Sequence, residues 1–165
     1  MARKINVGCG GFPLPTPDWE NYDLNVIKPE AGYAGRKVVI ANAFEVSYKG
    51  ADFVYAGHFI EHQTIQDAQR WIRLVREQAP GAVLAVTVPA FDRCNDPSVD
   101  HALLQDMVSA PVPGQPPGIA HQSWWRTRDL HRELAKAGYA HIEEWPNCPW
   151  LVAQVKWQVC LKAWG

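Results

Sequence analysis

The chain has 165 residues, 47% of them hydrophobic, which suits one domain (1–165) with a substantial core. Sixteen basic and seventeen acidic residues leave a formal net charge of −1, so no basic surplus points to nucleic acid or an anionic membrane. No stretch approaches the ~18 consecutive apolar residues of a membrane span, and Met1-Ala-Arg-Lys-Ile5 has no signal-type apolar core.

Lys4–Val7 is the first predicted strand, stopped by Gly8. Phe12-Pro-Leu-Pro-Thr-Pro17 cannot be a helix interior, because three prolines lack donors and clash with the preceding turn. Glu20–Leu24 reads as a second strand, Asn25–Tyr33 as a segment with a short helix, Lys37–Ala41 as a third strand and Ala51–Ala56 as a fourth. A helix then follows, capped by Thr64 with Asp67 at the capping-box position. Ile65, Ala68, Ile72, Val75 and Ala79 recur at three- and four-residue steps and give it one apolar face, and Pro80-Gly81 ends it.

Val83–Val88 is nearly continuous apolar sequence, as expected of a central parallel strand covered on both faces. Residues 90–123 read as loop with a short helix at 100–108. Thr127 is expected to cap a second clear helix through Ala137, with Leu130 and Leu134 inward and Gly138 as its stop. His141–Glu144 and Val152–Leu161 are the last predicted strands. In the final one, Ala153, Val155, Trp157, Val159 and Leu161 alternate with polar residues, which predicts one buried and one wet face. Cys9, Cys94, Cys148 and Cys160 show no Cys-x-x-Cys spacing, so a reducing cytoplasm is the simplest setting.

The chemistry concentrates where strands end. Ile5-Asn-Val-Gly-Cys-Gly-Gly11 is a strand running into a glycine turn, where backbone can approach a ligand closely. Asp23 ends the next strand and could accept hydrogen bonds from the two hydroxyls of a ribose. A dinucleotide would need its pyrophosphate at a helix N-terminus directly after the glycines. The proline loop stands there instead, and a Gly-Lys-Ser/Thr phosphate loop is absent. A phosphate-free nucleoside such as S-adenosylmethionine (SAM) loses little by this.

Four segments resemble the small class I (Rossmann-like) SAM-dependent methyltransferases of the methyltransferase-domain 11 type. They are Ile5–Gly11, Tyr22-Asp-Leu24, Ala51–His62 with its Glu-His turn, and the helix ending in Ala79-Pro-Gly before Val83–Pro89. Trp125–Glu143 is similar to that family's last helix and following strand. The resemblance implies an α/β fold, a Rossmann-like mostly parallel sheet with an antiparallel last strand. The family's N-terminal helix and the helix between strands one and two are missing from the pattern. One sheet face would then be thinly covered, and the proline loop, the late tryptophans or a second copy of the chain in a homo-oligomer is expected to cover it.

The resemblance further implies SAM as cofactor, contacted by Gly8, Cys9, Gly10, Asp23, Leu24, Asn42, Ala43 and His58. Asn42 stands where the family often has Asp, and its carbonyl could contact the adenine amino group. The implied reaction is methyl transfer to an oxygen or nitrogen of a small-molecule or glycan-type acceptor, with His58 and His121 as catalytic candidates. Asp92, His101 and His121 lie in or beside the long loop, either as substrate groups or as solvated loop residues.

His58-Phe-Ile-Glu-His62 matches H-x-x-E-H, a zinc signature when it lies on a helix with a further downstream ligand. Here it follows a strand and precedes the capped helix, so a turn is expected and no metal is assigned. Two alternatives stay open: a non-catalytic SAM-fold binding module, and a zinc-dependent hydrolase using His58, Glu61 and His62.

Overall fold

The computed structural model describes residues 2–10, 12–25, 35–93, 121–150 and 157–165. The short helices expected after Asn25 and at 100–108, His101, and the first residues of the last predicted strand lie outside these. Among the described residues there are seven strands: β1 (Lys4–Val7), β2 (Glu20–Asp23), β3 (Val38–Ile40), β4 (Phe53–Gly57), β5 (Val83–Pro89), β6 (His141–Glu144) and β7 (Gln158–Trp164). They form one sheet in the order β3-β2-β1-β4-β5-β7-β6. β1 to β5 pair in parallel, and β7 runs antiparallel to both of its neighbours. The strand order turns outward in both directions from β1 and β4, so the ligand crevice of such a sheet falls at their carboxyl ends.

The first face of the sheet is covered by two helices, α1 (Ile65–Gln78) and α2 (Thr127–Lys136). Thr64 caps α1 as expected, its hydroxyl accepting from Asp67 N at 3.1 Å. The buried face of α1 is Ala68, Trp71, Ile72 and Val75. Ile65 departs from the expected stripe: it is 37% exposed, since it starts the helix beyond the rim of the sheet, and Trp71 fills the core instead. Leu130 and Leu134 of α2 are fully buried, as predicted.

The expected cap of α2 is corrected. Thr127 is the first helical residue, and Arg126 at the cap position makes no side-chain cap bond. Asp92 serves instead, its Oδ1 accepting from Thr127 N at 3.0 Å and Thr127 Oγ1 at 3.3 Å. Asp92 is thus the distant cap of a helix.

Side chains alternate along each strand, so every second residue points to the other face. Among the described residues, no helix lies between β1 and β2, and none covers that face. Leu14 and Trp19 of the proline loop cover it together with Trp145, Cys148 and Trp150. Trp150 meets Trp19 at 4.8 Å and Phe53 at 5.7 Å, both edge to face. Two of the three expected coverings, the proline loop and the late tryptophans, therefore act together.

This corrects the reading of β7. Its second face is not wet: Gln158 is 8% and Cys160 2% exposed. β7 is inserted between β5 and β6, and the Trp145–Trp150 segment lies over it. Its described part also runs on to Trp164, beyond the expected end.

Buried polar groups hold the helix-free loop to the sheet. Asn21 Oδ1 accepts from Leu14 N at 2.7 Å and from Asn6 Nδ2 at 2.9 Å, while Asn21 Nδ2 donates to Leu14 O at 2.9 Å. One amide side chain thereby does for the loop what a strand neighbour would do. Among the described residues no helix is long and apolar enough to cross a membrane.

Candidate functional site

At the carboxyl ends of β1, β2 and β4 the chain leaves a cavity of about 480 Å³. This is the size of a small-molecule site. Gly8, Gly10, Asp23, Leu24, Asn42, Ala43 and His58 all line it. These are seven of the eight residues expected to touch the cofactor. Cys9 is buried, 6% exposed, and does not line the cavity. Burial, reinforced by the Asp23 charge, pushes its thiol up to about 12, so it is no nucleophile at neutral pH.

The glycine turn is shaped by two positive φ angles, +62° at Gly8 and +51° at Gly10. A Cβ on Gly8 would stand 2.6 Å from the Phe59 ring, whereas one on Gly10 would meet nothing within 4 Å. The first glycine lets Phe59 close over the turn, and the second leaves space above it. Asp23 locks the two strand ends together: its Oδ2 accepts from Gly10 N at 2.8 Å and its Oδ1 from Asn25 N at 2.9 Å. Each carboxylate oxygen keeps a further acceptor site, so the pair can still receive two ribose hydroxyls. The opening above Gly10 and this acceptor pair fit a nucleoside without phosphate.

Asn42 lines the cavity and also shapes its wall. Its Oδ1 accepts from Phe44 N at 3.0 Å, which makes the turn that presents Ala43 and Phe44 to the cavity. That turn is braced from below, because Tyr48 donates its hydroxyl to Ala43 O at 2.7 Å and accepts from Trp71 Nε1 at 2.8 Å. Phe44 escaped notice in the sequence, as did Arg70, whose guanidinium lies 4.3 Å from the Phe44 ring centre. The only signal for Phe44 was its place just after Asn42-Ala43. Arg70 lies one turn into α1, where only the fold turns it to the cavity.

The H-x-x-E-H segment is a turn, as expected: Ile60–His62 is a single 3-10 turn after β4. His58 has φ +53°, unusual for a residue with a side chain. Its Nδ1 lies 3.0 Å from Glu61 Oε1 and its Nε2 3.1 Å from Gln158 Oε1. Burial alone would lower its pKa, but the Glu61 carboxylate and Gln158 outweigh that and hold the imidazolium above its usual range. Both ring nitrogens face protein acceptors, so His58 is poorly placed to take a proton from an acceptor. The zinc-hydrolase arrangement of His58, Glu61 and His62 does not form, because His58 is turned to Gln158.

His121 stands apart from the other expected residues. It does not line the cavity, but its ring centre is 4.8 Å from that of His62, which does. Burial holds its pKa below the usual value, with His62 and His58 adding to the effect.

Sequence comparison is silent: no family profile and no curated protein matches the chain. Solved structures do match. A SAM-dependent methyltransferase from Archaeoglobus fulgidus superposes with a TM-score of 0.63 at 16% identity, over 98% of this chain and 85% of that one. The SAM-dependent methyltransferase SibL, in its apo form, gives 0.66 at 19% identity, over 98% of this chain and 50% of its own. The O-methyltransferase NcsB1 from neocarzinostatin biosynthesis gives 0.61 at 16% identity, over 99% of this chain and 49% of its own.

The chain has the class I SAM-dependent methyltransferase fold. It spans about half the length of SibL and NcsB1. One face of the described sheet is covered by the proline loop and tryptophans.

Proposed function

We propose that this chain is a SAM-dependent methyltransferase acting, as a single domain, on an oxygen or nitrogen of a small-molecule or glycan-type acceptor. The observation that carries the reading is Asp23. It is a carboxylate at the end of β2, tied to Gly10 N at 2.8 Å and lining a cavity of about 480 Å³ at the strand ends. The small-molecule acceptor is supported by NcsB1, solved with SAM and 2-hydroxy-5-methyl naphthoic acid.

When bound, SAM supplies a methyl group on a positively charged sulfur. In this proposal Asp23 accepts from the ribose hydroxyls, and Gly8, Cys9 and Gly10 bring backbone close to the cofactor. Leu24, Ala43 and Phe44 offer apolar surface to the adenine, and Asn42 holds their turn in shape. Transfer from such a sulfur mainly demands alignment of acceptor and methyl. His58, fixed by Glu61 and Gln158, is a wall of the site rather than a base. His121 belongs to the acceptor side, beside His62.

Calorimetric titration with SAM and with S-adenosylhomocysteine tests the reading. Wild-type protein is expected to bind both, and Asp23→Ala to weaken SAM by about two orders of magnitude, from loss of two charge-assisted hydrogen bonds. Asp23→Asn keeps the side-chain volume but loses one of the two backbone bonds that the carboxylate accepts, so circular dichroism and the melting temperature of both variants separate ligand contact from folding. No binding by wild type, or unchanged affinity in Asp23→Ala, sinks the cofactor assignment.

A further inference from the structure

Glu61, His62 and His121 bring one carboxylate oxygen and two imidazole nitrogens within 4.8 Å of one another. Ligands of a common zinc-type ion stand about 2.0–2.2 Å from it, so two of them are at most about 4.4 Å apart and the three atoms must draw closer to share one ion. The neighbourhood is built rather than loose. Glu61 O accepts from Gln122 N at 2.7 Å and Ser123 N at 3.1 Å, and Gln122 Nε2 donates to His62 O at 2.9 Å. Ser123 Oγ donates to Ile60 O at 3.1 Å and accepts from Trp125 Nε1 at 2.9 Å. The segment carrying His121 is thereby stitched to the turn carrying Glu61 and His62.

A second observation points to a ligand. The Glu61 side chain is 1% exposed, and its Oε2 has no hydrogen-bond partner. A buried carboxylate oxygen without a partner is costly, and such groups mark an unoccupied role. Its other oxygen is oriented by His58 Nδ1 at 3.0 Å, the arrangement by which an outer residue fixes a ligating carboxylate.

We propose that Glu61, His62 and His121 form a binding site for a divalent first-row transition ion. Two imidazoles and one carboxylate suit zinc, iron, cobalt or manganese and disfavour magnesium and calcium, which take oxygen ligands. Three protein ligands leave coordination positions open, and His62 lines the cavity, so the ion would face it. The site opens on the cavity that Asp23 lines but takes none of its three ligands from the residues assigned to SAM.

The test is equilibrium dialysis of chelator-stripped, nucleoside-free protein against zinc, manganese or magnesium, with bound metal per chain read by mass spectrometry. One zinc per chain is expected, with magnesium not retained. His121→Ala and His62→Ala are expected to weaken zinc by more than about tenfold, with circular dichroism unchanged. His131→Ala, an exposed histidine on α2, should bind as wild type does and controls for surface histidine binding. Zinc uptake below stoichiometry in wild type, or equal uptake in both folded ligand variants, overturns the site. So does retention of magnesium in preference to zinc. SAM calorimetry on the same metal-free samples keeps a failure here distinct from a failure of the cofactor reading.

Discussion

Asn21 pairs with Leu14 as if it were backbone: its amide accepts from Leu14 N at 2.7 Å and donates to Leu14 O at 2.9 Å. Leu14 belongs to the loop that covers the helix-free face, and Asn21 to strand β2. Asn21→Leu keeps the volume but strands both Leu14 groups and the Asn6 amide in a dry interior. Each buried polar group left unmatched costs about 1–3 kcal/mol. Chemical denaturation should show a loss of several times a typical surface mutation, and a loss within about 0.5 kcal/mol would show that the clamp is dispensable.

The two glycines of the turn should behave differently. Gly8→Ala places a Cβ 2.6 Å from Phe59, in a backbone at φ +62°. The left-handed conformation alone costs about 1–2 kcal/mol, and Phe59, packed at 5.2 Å on Trp71, must also move. Gly10→Ala meets no atom within 4 Å and should carry only the conformational cost. Melting temperatures of the two variants check this; equal losses would mean that Phe59 yields freely.

Tyr48→Phe tests whether the core supports the cavity. It leaves Trp71 Nε1 and Ala43 O without their partner. Stability should fall by about 1–3 kcal/mol, and nucleoside affinity should fall with it, because Ala43 lines the cavity. Calorimetry showing full affinity would separate the brace from the binding turn.

The cap of α2 gives a pH dependence. Burial would raise the Asp92 carboxyl, but the hydrogen bonds from Thr127 outweigh it and hold the folded pKa below the usual value. The unfolded chain then binds the proton more tightly. The stabilisation is full above the ordinary aspartate value of about 3.9 and is lost as pH falls through the lower folded value. Asp92→Ala should cost on the order of 0.5–1 kcal/mol at pH 7, and the gap to wild type should narrow in acid. A gap independent of pH would assign the effect to packing.

What could be read from the sequence was local. The end of β1 before Gly8, the helix stop at Gly138 and the Thr64 cap depend on near neighbours and lie close to where they were expected. Gly8, Gly10 and Asp23 were legible because positive φ and a strand-end carboxylate each demand few residue types. The rest depends on contacts across the chain. Asn21 looks like any strand residue until Leu14 is known to lie over it, and Asp92 looks like a loop acid until Thr127 is known to start a helix. The alternation in β7 was misread, since Cys160 facing tryptophans and Gln158 facing His58 are buried, as Val159 is. His62 and His121 meet only because the segment around Ser123 returns to the Ile60 turn.

The aromatic layer over the second face has an evolutionary consequence. A covering helix spreads its contacts over many positions, several of which accept substitution in turn. Here Trp150 alone touches Trp19, Phe53, Tyr55 and Trp145, with ring centres 4.8–5.7 Å away. Sensitivity to mutation on this side of the sheet is therefore concentrated in a few aromatic side chains.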